Sequence, residues 1–314
     1  MHDVVIIGGG VAGLSAGMYA GRLGMKTLTV GENIGGTITL TTGIENYPGF
    51  KSISGSELAA KLKEHAQAYG AELVEDSVTE IKRAGDCFEV FTSDKKFLSR
   101  CIIFATGTRH RKLEVPGSEK FESKGVHYCA LCDGPFYRGK VVAVIGGGDS
   151  AAKEALLLAN YAKKVYMIYR GEKIRPEPIN ARRIEGNKKI EVITRTNVIE
   201  IKGDAKVSGA VLDREYKGER ELKVDGIFVA IGGTPLSELA RKLGVESNEK
   251  GEIKIDRQAK TNVNGIFAAG DIADTAFKQA ITGAAEGVTA AYSAYRYINE
   301  KEFVCTCIDE EYVC

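Results

Sequence analysis

Cys129 and Cys132 are the residues whose type and spacing most directly suggest chemistry, because two intervening residues hold their sulfur atoms within bonding distance. Such a pair can pass electrons as a dithiol and a disulfide, or it can supply half of a metal site. Cys305 and Cys307 would supply the other half of a zinc site. A structural zinc site has no need of nucleotide-binding motifs, of which this chain has two, so redox chemistry is the favoured interpretation.

The remaining cysteines lie in two regions. Cys87 and Cys101 fall in β-rich stretches and are interpreted as buried small hydrophobic residues. Cys305, Cys307 and Cys314 lie close together at the C-terminus. We interpret this segment as an incidental tail, with an auxiliary dithiol relay or metal capture as the alternatives.

A glycine-rich turn from Gly8 to Gly13 follows the apolar run at the N-terminus and precedes a stretch of helical character. Gly8 permits the tight turn, Gly10 lets the backbone approach a pyrophosphate, and Gly13 allows close packing of helix and strand. The N-terminus of the helix offers free N–H groups to the phosphate charge. The segment therefore predicts a dinucleotide-binding βαβ unit.

A second copy of this pattern lies near the middle of the chain. The apolar strand at 141–145 leads into the turn from Gly146 to Ala151, which an apolar-rich helix follows. Ala151 stands in place of the third glycine, a replacement that the fingerprint accepts. The next strand follows at about the 20-residue spacing at which the ribose-discriminating group is expected. Two copies of the motif predict two bound dinucleotides.

Length and composition exclude several classes of protein. At 314 residues the chain predicts two domains, and 44% hydrophobic with 27% charged residues is typical of a globular protein. The net charge is +1 and no basic run is interleaved with aromatic residues, which argues against nucleic acid or an anionic membrane as partner. No leader pattern and no apolar run of about 18 residues is present, so we expect a cytoplasmic location and no membrane span.

A third feature lies near the C-terminus, where a short apolar stretch after Asn264 ends in Gly270 and Asp271. With the two nucleotide motifs, it resembles the low-molecular-weight thioredoxin reductases, a class of pyridine nucleotide-disulfide oxidoreductases, over nearly the whole chain. The order of the shared motifs is more specific than any one of them. They are Gly35-Gly36, Glu45-Asn46-Tyr47-Pro48-Gly49, Ala105-Thr106-Gly107, Cys129 to Gly134, Gly146 to Ala151, Gly265 to Asp271, and Lys278-Gln279-Ala280-Ile281.

The resemblance implies an α/β fold of two Rossmann-like (three-layer ββα) dinucleotide-binding domains, with the nicotinamide domain inserted into a split FAD domain. The FAD-binding domain is expected at residues 1–111 and 240–314. The NAD(P)-binding domain, which carries the Cys129/Cys132 pair, is expected at residues 112–239. Glycine- and proline-bearing segments at 113–117 and 232–235 are suitable linkers between them. A homodimer is also implied by the resemblance alone.

The resemblance further implies which residues contact FAD. Thr37 stands where the family usually has Gln. The residues expected at the flavin nucleotide are Gly8, Gly10, Val11, Ala12, Gly13, Gly31, Glu32, Gly36, Thr37, Asn46, Val78, Thr106, Gly107, Gly270, Asp271, Lys278, Gln279 and Ala280.

The nicotinamide cofactor is expected at the second motif. The NADPH-dependent members end the next strand with His-Arg-Arg and have another Arg four residues later, which clamp the 2′-phosphate. Here Gly171 replaces the middle Arg, so one charge-assisted contact of roughly 1.5 to 3 kcal/mol is missing. The residues expected at this cofactor are Gly146, Gly148, Asp149, Ser150, Ala151, Arg170 and Arg175.

Neighbouring residues leave the choice of electron donor open. Lys173 can partly replace the missing Arg, whereas Glu172 lies close enough to weaken phosphate binding. Tyr169, at the end of the strand, is not the acid that holds a ribose 2′-hydroxyl in NAD-specific sites. We therefore expect NADPH, with NADH, dual use or a non-nicotinamide donor such as ferredoxin or a deazaflavin as alternatives.

The expected activity is transfer of electrons from NADPH through FAD and the Cys129/Cys132 dithiol to thioredoxin or a similar small CxxC protein. Family resemblance assigns Cys132 to the position nearer the flavin and Asp133 to the acid/base role that protonates the departing thiolate. Asp133 also suits a helix cap or a turn. His127 is interpreted as a structural residue. A dithiol oxidase and a non-catalytic flavin sensor are the other functions considered.

Overall fold

The computed structural model describes residues 1–305, and residues 306–314 are not described. Within the described residues, the strands are β1 (His2–Ile7), β2 (Thr27–Gly31), β3 (Glu72–Glu75), β4 (Val78–Ala84), β5 (Cys87–Thr92), β6 (Lys96–Phe104), β7 (Thr108–His110), β8 (Val126–His127), β9 (Val141–Ile145), β10 (Lys164–Ile168), β11 (Ile190–Ile193), β12 (Val198–Gly203), β13 (Val207–Tyr216), β14 (Glu219–Lys223), β15 (Gly226–Val229), β16 (Gly233–Pro235) and β17 (Ile266–Ala268). The helices are α1 (Val11–Arg22), α2 (Gly55–Ala68), α3 (Ala130–Asp133), α4 (Asp149–Leu158), α5 (Pro178–Glu185), α6 (Glu238–Lys242) and α7 (Ala280–Asn299), with short 3-10 turns at Gly36–Leu40, Gly134–Tyr137 and Gly270–Ile272.

Two compact units make up the chain. The first comprises Met1–Arg109 and the described part of the chain from Thr234, and the second comprises His110–Gly233. The return to the first unit lies within the segment 232–235 named from the sequence as a linker, before the domain boundary expected at residue 240. The two crossing segments, β7 and β16, pair with one another in a two-stranded sheet.

The first unit is built on a seven-stranded sheet in the order β3-β2-β1-β6-β5-β4, with β17 also paired to β6. β1 is parallel to β2 and β6, and every residue from Val4 to Ile7 is buried, as a two-sided sheet requires. α1 and α7 pack together on this sheet through small residues. A Cβ at Gly287 of α7 would collide with the carbonyl oxygen of Ala12 in α1, so the two helices are in backbone contact.

The second unit contains an all-parallel sheet in the order β11-β10-β9-β15-β8 and an antiparallel sheet in the order β12-β13-β14. α4 packs on β9 and β10, where Ala151, Ala155 and Leu158 are fully buried. Each unit therefore places a glycine-rich turn between a buried parallel strand and a helix, which confirms the predicted α/β class. None of the helices in the described part of the chain is both long and apolar enough to cross a membrane.

The end of the described chain is attached to the first unit. Cys305 forms a disulfide with Cys87, which is buried as expected but was not expected to be bonded. The backbone N–H of Asp86 donates to the Val304 carbonyl (2.9 Å), and the Asp86 carboxylate pairs with Lys301 (2.6 Å). The interpretation of this segment as an incidental tail is therefore wrong as far as Cys305.

Three cysteines remain, of which only Cys101 lies in the described part of the chain. Cys101 is a fully buried free thiol, and burial raises its pKa far above the ordinary value. It is the inert small hydrophobic residue that the sequence predicts. Cys307 and Cys314 lie outside the described residues.

Replacing Cys305 with Ser should destabilise the oxidised chain. The Cys87–Cys305 bond spans 218 residues, and a cross-link across a long loop stabilises by restricting the unfolded chain, typically by about 2 to 4 kcal/mol. Thermal unfolding with and without dithiothreitol measures this. The reductant should lower the midpoint less in Cys305→Ser than in the wild type, the remainder coming from the Cys129–Cys132 bond. An equal shift in both proteins would show that the Cys87–Cys305 bond is not formed.

Candidate active site

The first glycine-rich turn is shaped by close backbone contacts. Gly8 has a φ of +116°, and a Cβ there would collide with the carbonyl oxygen of Ala105. A Cβ at Gly13 would collide with the carbonyl oxygen of Gly8. Only glycine satisfies both contacts. These contacts hold the start of α1 close to the end of β1.

The N-terminus of α1 is suited to an anionic group. Gly10 occupies the cap position, and among residues 1–305 no side chain caps this helix end and no acidic residue lies in its first turn. A Cβ at Gly10 would lie 3.8 Å from its nearest neighbour, the Cα of Gly36, so there is room for a ligand at the turn. Helix N–H groups and the helix dipole both favour negative charge there. The turn therefore fits the pyrophosphate of a dinucleotide.

Distant segments meet at this turn. A Cβ at Gly36 would lie 2.6 Å from the Cα of Gly10, and one at Gly31 would lie 2.5 Å from the backbone nitrogen of Gly9. A Cβ at Gly270 would lie 2.9 Å from the Cβ of Ala12. Segments more than 200 residues apart in sequence are therefore in contact within the first unit.

The other residues expected at the flavin nucleotide lie in the same unit. Glu32 is exposed directly after β2 and accepts a hydrogen bond from the Ser77 hydroxyl (2.9 Å). Thr106 and Gly107 follow β6, and Thr106 donates to the Leu236 carbonyl (2.9 Å). Val11 opens α1, Thr37 is exposed in the first 3-10 turn, Asp271 lies in the last, and Val78 begins β4.

The start of α7 carries the last group of expected residues. Gln279 caps this helix, Ala280 is its first residue, and the Asn46 amide donates to the Gln279 side-chain oxygen (3.0 Å). Lys278 binds the carboxylate of Glu252 (2.6 Å) and the carbonyl of Asp271 (2.7 Å). Residues from near 46, 252, 271 and 279 thus form one polar cluster.

Glu286 belongs to this region and was not identified from the sequence. Its carboxylate accepts the backbone N–H of Gly270 (2.8 Å), and burial raises its pKa. The available signal was its position as the one acidic residue among small and apolar residues in the first half of α7. Its hydrogen bond fixes the Gly270 turn.

The second glycine-rich turn repeats the geometry of the first. Gly146 has a φ of +147°, and a Cβ there would collide with the carbonyl oxygen of Ala230. A Cβ at Gly148 would meet nothing within 4 Å, so this position is open to a ligand. Ala151 is fully buried, and Ser150 is exposed in the first turn of α4. The turn can take a second pyrophosphate.

Asp149 is an acid at this helix N-terminus, but its charge is satisfied within the unit. Its carboxylate accepts from the Asn180 amide (2.8 Å) and the Glu177 backbone N–H (2.9 Å), and it pairs with Lys153 (2.7 Å). Burial opposes ionisation, but these hydrogen bonds hold the pKa of Asp149 below its ordinary value. The carboxylate is therefore occupied by protein groups.

Tyr169 occupies the space at the end of β10, which the sequence did not indicate. A Cβ at Gly147 would collide with its ring, and one at Gly171 would lie 2.5 Å from the ring carbon Cε1. Arg175 donates to the Tyr169 hydroxyl (2.8 Å), and Arg170 is exposed. Of the two Arg residues expected to bind the 2′-phosphate, Arg175 is therefore already hydrogen-bonded to Tyr169.

The Cys129/Cys132 pair forms a disulfide at the start of α3, with its Cα atoms 5.4 Å apart. Cys129 caps the helix, and its sulfur accepts the backbone N–H of Cys132 (3.1 Å). Cys132 is exposed, whereas Cys129 is half-buried. The second residue of the pair therefore lies at the surface of the unit.

Two carboxylates flank this disulfide. Glu154 of α4 accepts the backbone N–H of Ala130 (2.6 Å), and burial raises its pKa to about 7, with the Asp133 charge adding to the effect. Asp133 lies 3.1 Å from Nδ1 of His127, measured from Oδ2. The sequence interpretation treated His127 as structural and did not anticipate this contact. Glu154 was not identified from the sequence.

Residues 2–287 match the family described as pyridine nucleotide-disulphide oxidoreductase. The chain belongs to this family. The resemblance predicted from the ordered motifs is thereby confirmed.

Individual family members are similar over nearly their whole length. The thioredoxin reductase of Bacillus subtilis is 39% identical over 303 residues, which cover 96% of this chain and 96% of that protein. The crystal structure of Lactococcus lactis thioredoxin reductase matches with a TM-score of 0.92 and 41% identity, covering 96% of this chain and 100% of that one. The thioredoxin reductase of T. acidophilum matches with a TM-score of 0.89 and 36% identity, covering 94% and 98%.

Replacing Glu154 with Gln should change how stability depends on pH. The folded-state pKa of about 7 lies above the ordinary value of 4.5, so the group's contribution to stability is complete below pH 4.5 and is lost as the pH rises through about 7. Between pH 5 and 8 the free energy of unfolding should rise in Glu154→Gln relative to the wild type, by on the order of 1 to 3 kcal/mol.

Urea unfolding at several pH values measures this difference. Glu185→Gln, at an exposed position of α5 in the same unit, is the matched control and should show no such trend. A difference between Glu154→Gln and the wild type that stays constant from pH 5 to 8 would contradict the raised pKa.

Proposed function

We propose that this chain is a thioredoxin-disulfide reductase that transfers electrons from NADPH through FAD and the Cys129/Cys132 pair to a protein disulfide. One observation carries the proposal. A unit with its own nucleotide-binding turn also holds a disulfide, of which the second residue is exposed and directly precedes Asp133. The relatives named thioredoxin reductase support the same conclusion, because the similarity extends over nearly the whole chain.

FAD is the cofactor proposed for the first unit, where it would supply a two-electron carrier between the nicotinamide and the disulfide. The N–H groups at the start of α1 would bind its pyrophosphate, with Gly10 and Gly36 leaving room for the approach. Glu32 follows β2 at the position where an acid binds a ribose 2′-hydroxyl. The Gly270–Asp271 turn, held by Glu286, and the Asn46–Gln279 pair would complete the site.

NADPH is the donor proposed for the second unit. The N–H groups at the start of α4 would bind its pyrophosphate, and Gly148 is open to it. Arg170 and Arg175 would bind the 2′-phosphate. Asp149 would not repel the phosphates strongly, because Lys153 neutralises its charge.

The dithiol chemistry follows from the Cys129/Cys132 pair. Two electrons and the accompanying protons convert the disulfide to a dithiol, and one thiolate then attacks a sulfur of the partner disulfide. The bond between the partner's sulfurs breaks as the mixed disulfide forms, and the second cysteine closes the Cys129–Cys132 bond again. Asp133 would transfer the proton to the departing thiolate. Overall, one NADPH and one proton reduce one protein disulfide to two thiols.

A small CxxC protein such as thioredoxin is the proposed partner. Phe136, near the exposed Cys132, is itself 74% exposed, and exposed aromatic side chains are typical of protein-binding surfaces. We also propose a homodimer and a cytoplasmic location, both from resemblance to the family.

NADH is the second candidate donor, and Tyr169 is the observation that favours it. The Tyr169 hydroxyl binds Arg175, and its ring occupies the space beside Gly171. Both interactions weaken a 2′-phosphate site without affecting the turn from Gly146 to Ala151, which NADH and NADPH would share.

Replacing either Cys129 or Cys132 with Ser should abolish reduction of a protein disulfide. Electrons could still enter from the nicotinamide, since neither substitution alters the turns at Gly8 or Gly146. Turnover with oxidised thioredoxin and anaerobic bleaching of the flavin by NADPH measure the two steps separately. Retention of substantial thioredoxin turnover by either variant would refute the assignment. Cys101→Ala, at the buried free thiol, is the control and should retain turnover.

The double variant Tyr169→Ser/Gly171→Arg should use NADPH better than Tyr169→Ser alone. The first substitution frees Arg175 and makes room, and the second adds one charge-assisted contact, expected to lower KM for NADPH by about 10- to 100-fold. The KM for NADH should change little. Steady-state kinetics with both cofactors measure this. An equal fall in both KM values would indicate that the new Arg does not bind the 2′-phosphate.

A further inference from the structure

Three side chains form a continuous hydrogen-bonded chain beside the disulfide. Nδ1 of His127 lies 3.1 Å from Oδ2 of Asp133, and Nε2 of His127 lies 2.8 Å from the hydroxyl oxygen of Tyr137. The three residues come from β8, α3 and the 3-10 turn at Gly134–Tyr137. Asp133 directly follows Cys132, so this series of hydrogen bonds ends at the proposed acid/base.

Aromatic packing holds the imidazole of His127 in place. Its ring stacks on Phe228 of β15, with centroids 5.3 Å apart and planes at 29°. Tyr137 contacts both rings edge to face, at 5.4 Å from each. The side chain of His127 is only 10% exposed, and Phe228 is fully buried. The imidazole therefore has one well-defined position relative to Asp133.

The hydrogen-bonding partners determine the tautomer of His127. An ionised Asp133 can only accept, so Nδ1 must carry the proton. In the neutral ring Nε2 is then an acceptor, and Tyr137 must donate to it. Burial raises the pKa of Tyr137 to about 12, so its hydroxyl keeps its proton at neutral pH. The order of donors is Tyr137 to His127 to Asp133.

Charged groups lie on several sides of the Tyr137–His127–Asp133 series of hydrogen bonds. Burial lowers the pKa of His127 below 6.5, although the Asp133 charge opposes the shift. His127 and Asp133 both line an open cleft of about 350 Å³. The charged residues that line it with them are Lys124, Lys140, Lys206 and Asp225. From α4, Glu154 acts on Asp133.

We propose that His127 is a positioning residue of the dithiol exchange: its Nδ1–H, held by Tyr137, orients the Asp133 carboxylate beside Cys132. This inference rests on the proposed function, because it assigns a partner to the acid/base of that reaction. It also sets a lower pH limit. When His127 gains a proton, both nitrogens become donors, Tyr137 must turn, and the positive charge holds Asp133 ionised. Asp133 then carries a proton to the departing thiolate less readily.

Substitution of His127 separates orientation from titration. His127→Leu removes the donor and should slow the exchange by about 10- to 100-fold, the range for groups that orient a reacting group. In His127→Asn the amide N–H takes the place of Nδ1–H but does not titrate, so most of the rate should return at pH 7 to 8. Reduction of the flavin by the nicotinamide should be unchanged in both variants.

The dependence on pH is the decisive measurement. The exchange rate of the prereduced enzyme with oxidised thioredoxin is measured by stopped flow from pH 5 to 8. The ratio of the His127→Asn rate to the wild-type rate should rise as the pH falls through the pKa of His127, since the thiol titrations cancel in the ratio. His110→Asn, at an exposed histidine of the same unit, is the control and should give a constant ratio. A constant ratio for His127→Asn, or equal rates for His127→Leu and wild type, would overturn the proposal.

A second readout does not depend on the partner. The chain has four histidines, so ¹⁵N-labelled imidazole signals can be assigned by comparison with His127→Asn. His127 should be a neutral Nδ1–H tautomer at pH 7, and Tyr137→Phe should alter its Nε2 signal, whereas Tyr128→Phe should not. An Nε2–H tautomer would overturn the proposal. If wild-type enzyme fails to reduce thioredoxin but reduces a small aromatic disulfide, the proposed partner is wrong, and the pH ratio is measured with that disulfide instead.

Discussion

Both units depend on one constraint. A glycine in the nucleotide-binding turn contacts the end of a neighbouring strand so closely that a residue with a Cβ could not take its place. In the first unit this contact joins Gly8 to the carbonyl of Ala105, and in the second it joins Gly146 to the carbonyl of Ala230. Any side chain at either glycine would push the strand end away and turn the following helix out of line. Both helices would then lose the position from which their N–H groups can bind a pyrophosphate. The two nucleotide sites are thus consequences of the same local geometry.

The two turns differ in how the protein handles charge near them. The first turn of α1 has no acidic residue among those the structure describes, and Glu286 binds the Gly270 turn instead. α4 begins with Asp149, whose charge would oppose a phosphate at that helix end. Lys153 and Asn180 neutralise and fix it. The first turn lacks an acidic charge at its helix N-terminus, whereas the second turn has one and needs a salt bridge to neutralise it. Nucleotide binding at the second turn should therefore be more sensitive to salt.

Sequence reasoning was effective where the signal is local. The strand-turn-helix patterns at Gly8 and Gly146 and the two-residue spacing of Cys129 and Cys132 depend on neighbours along the chain, so they could be recognised directly. The bond between Cys87 and Cys305 could not be, because it joins residues 218 positions apart through the fold. The same holds for the ring of Tyr169 over Gly147, since a strand-end tyrosine can point in several directions. The second crossing between the units, at Gly233 and Thr234, falls in the glycine- and proline-bearing segment 232–235, which is a local feature of the sequence.

The disulfide site shows why two carboxylates near one reactive pair need different surroundings. Glu154 is half-buried, which raises its pKa to about 7, so at neutral pH it is partly protonated. It binds the Ala130 N–H and thereby fixes the start of the helix that carries Cys132. Asp133 is 31% exposed and borders an open cleft, so water can reach its carboxylate. If both carboxylates were fully ionised, their negative charges would repel the thiolate that forms once the disulfide has been reduced. Burial of Glu154 reduces that repulsion and leaves Asp133 as the group able to move a proton, and its orientation by His127 then determines whether that proton reaches the sulfur.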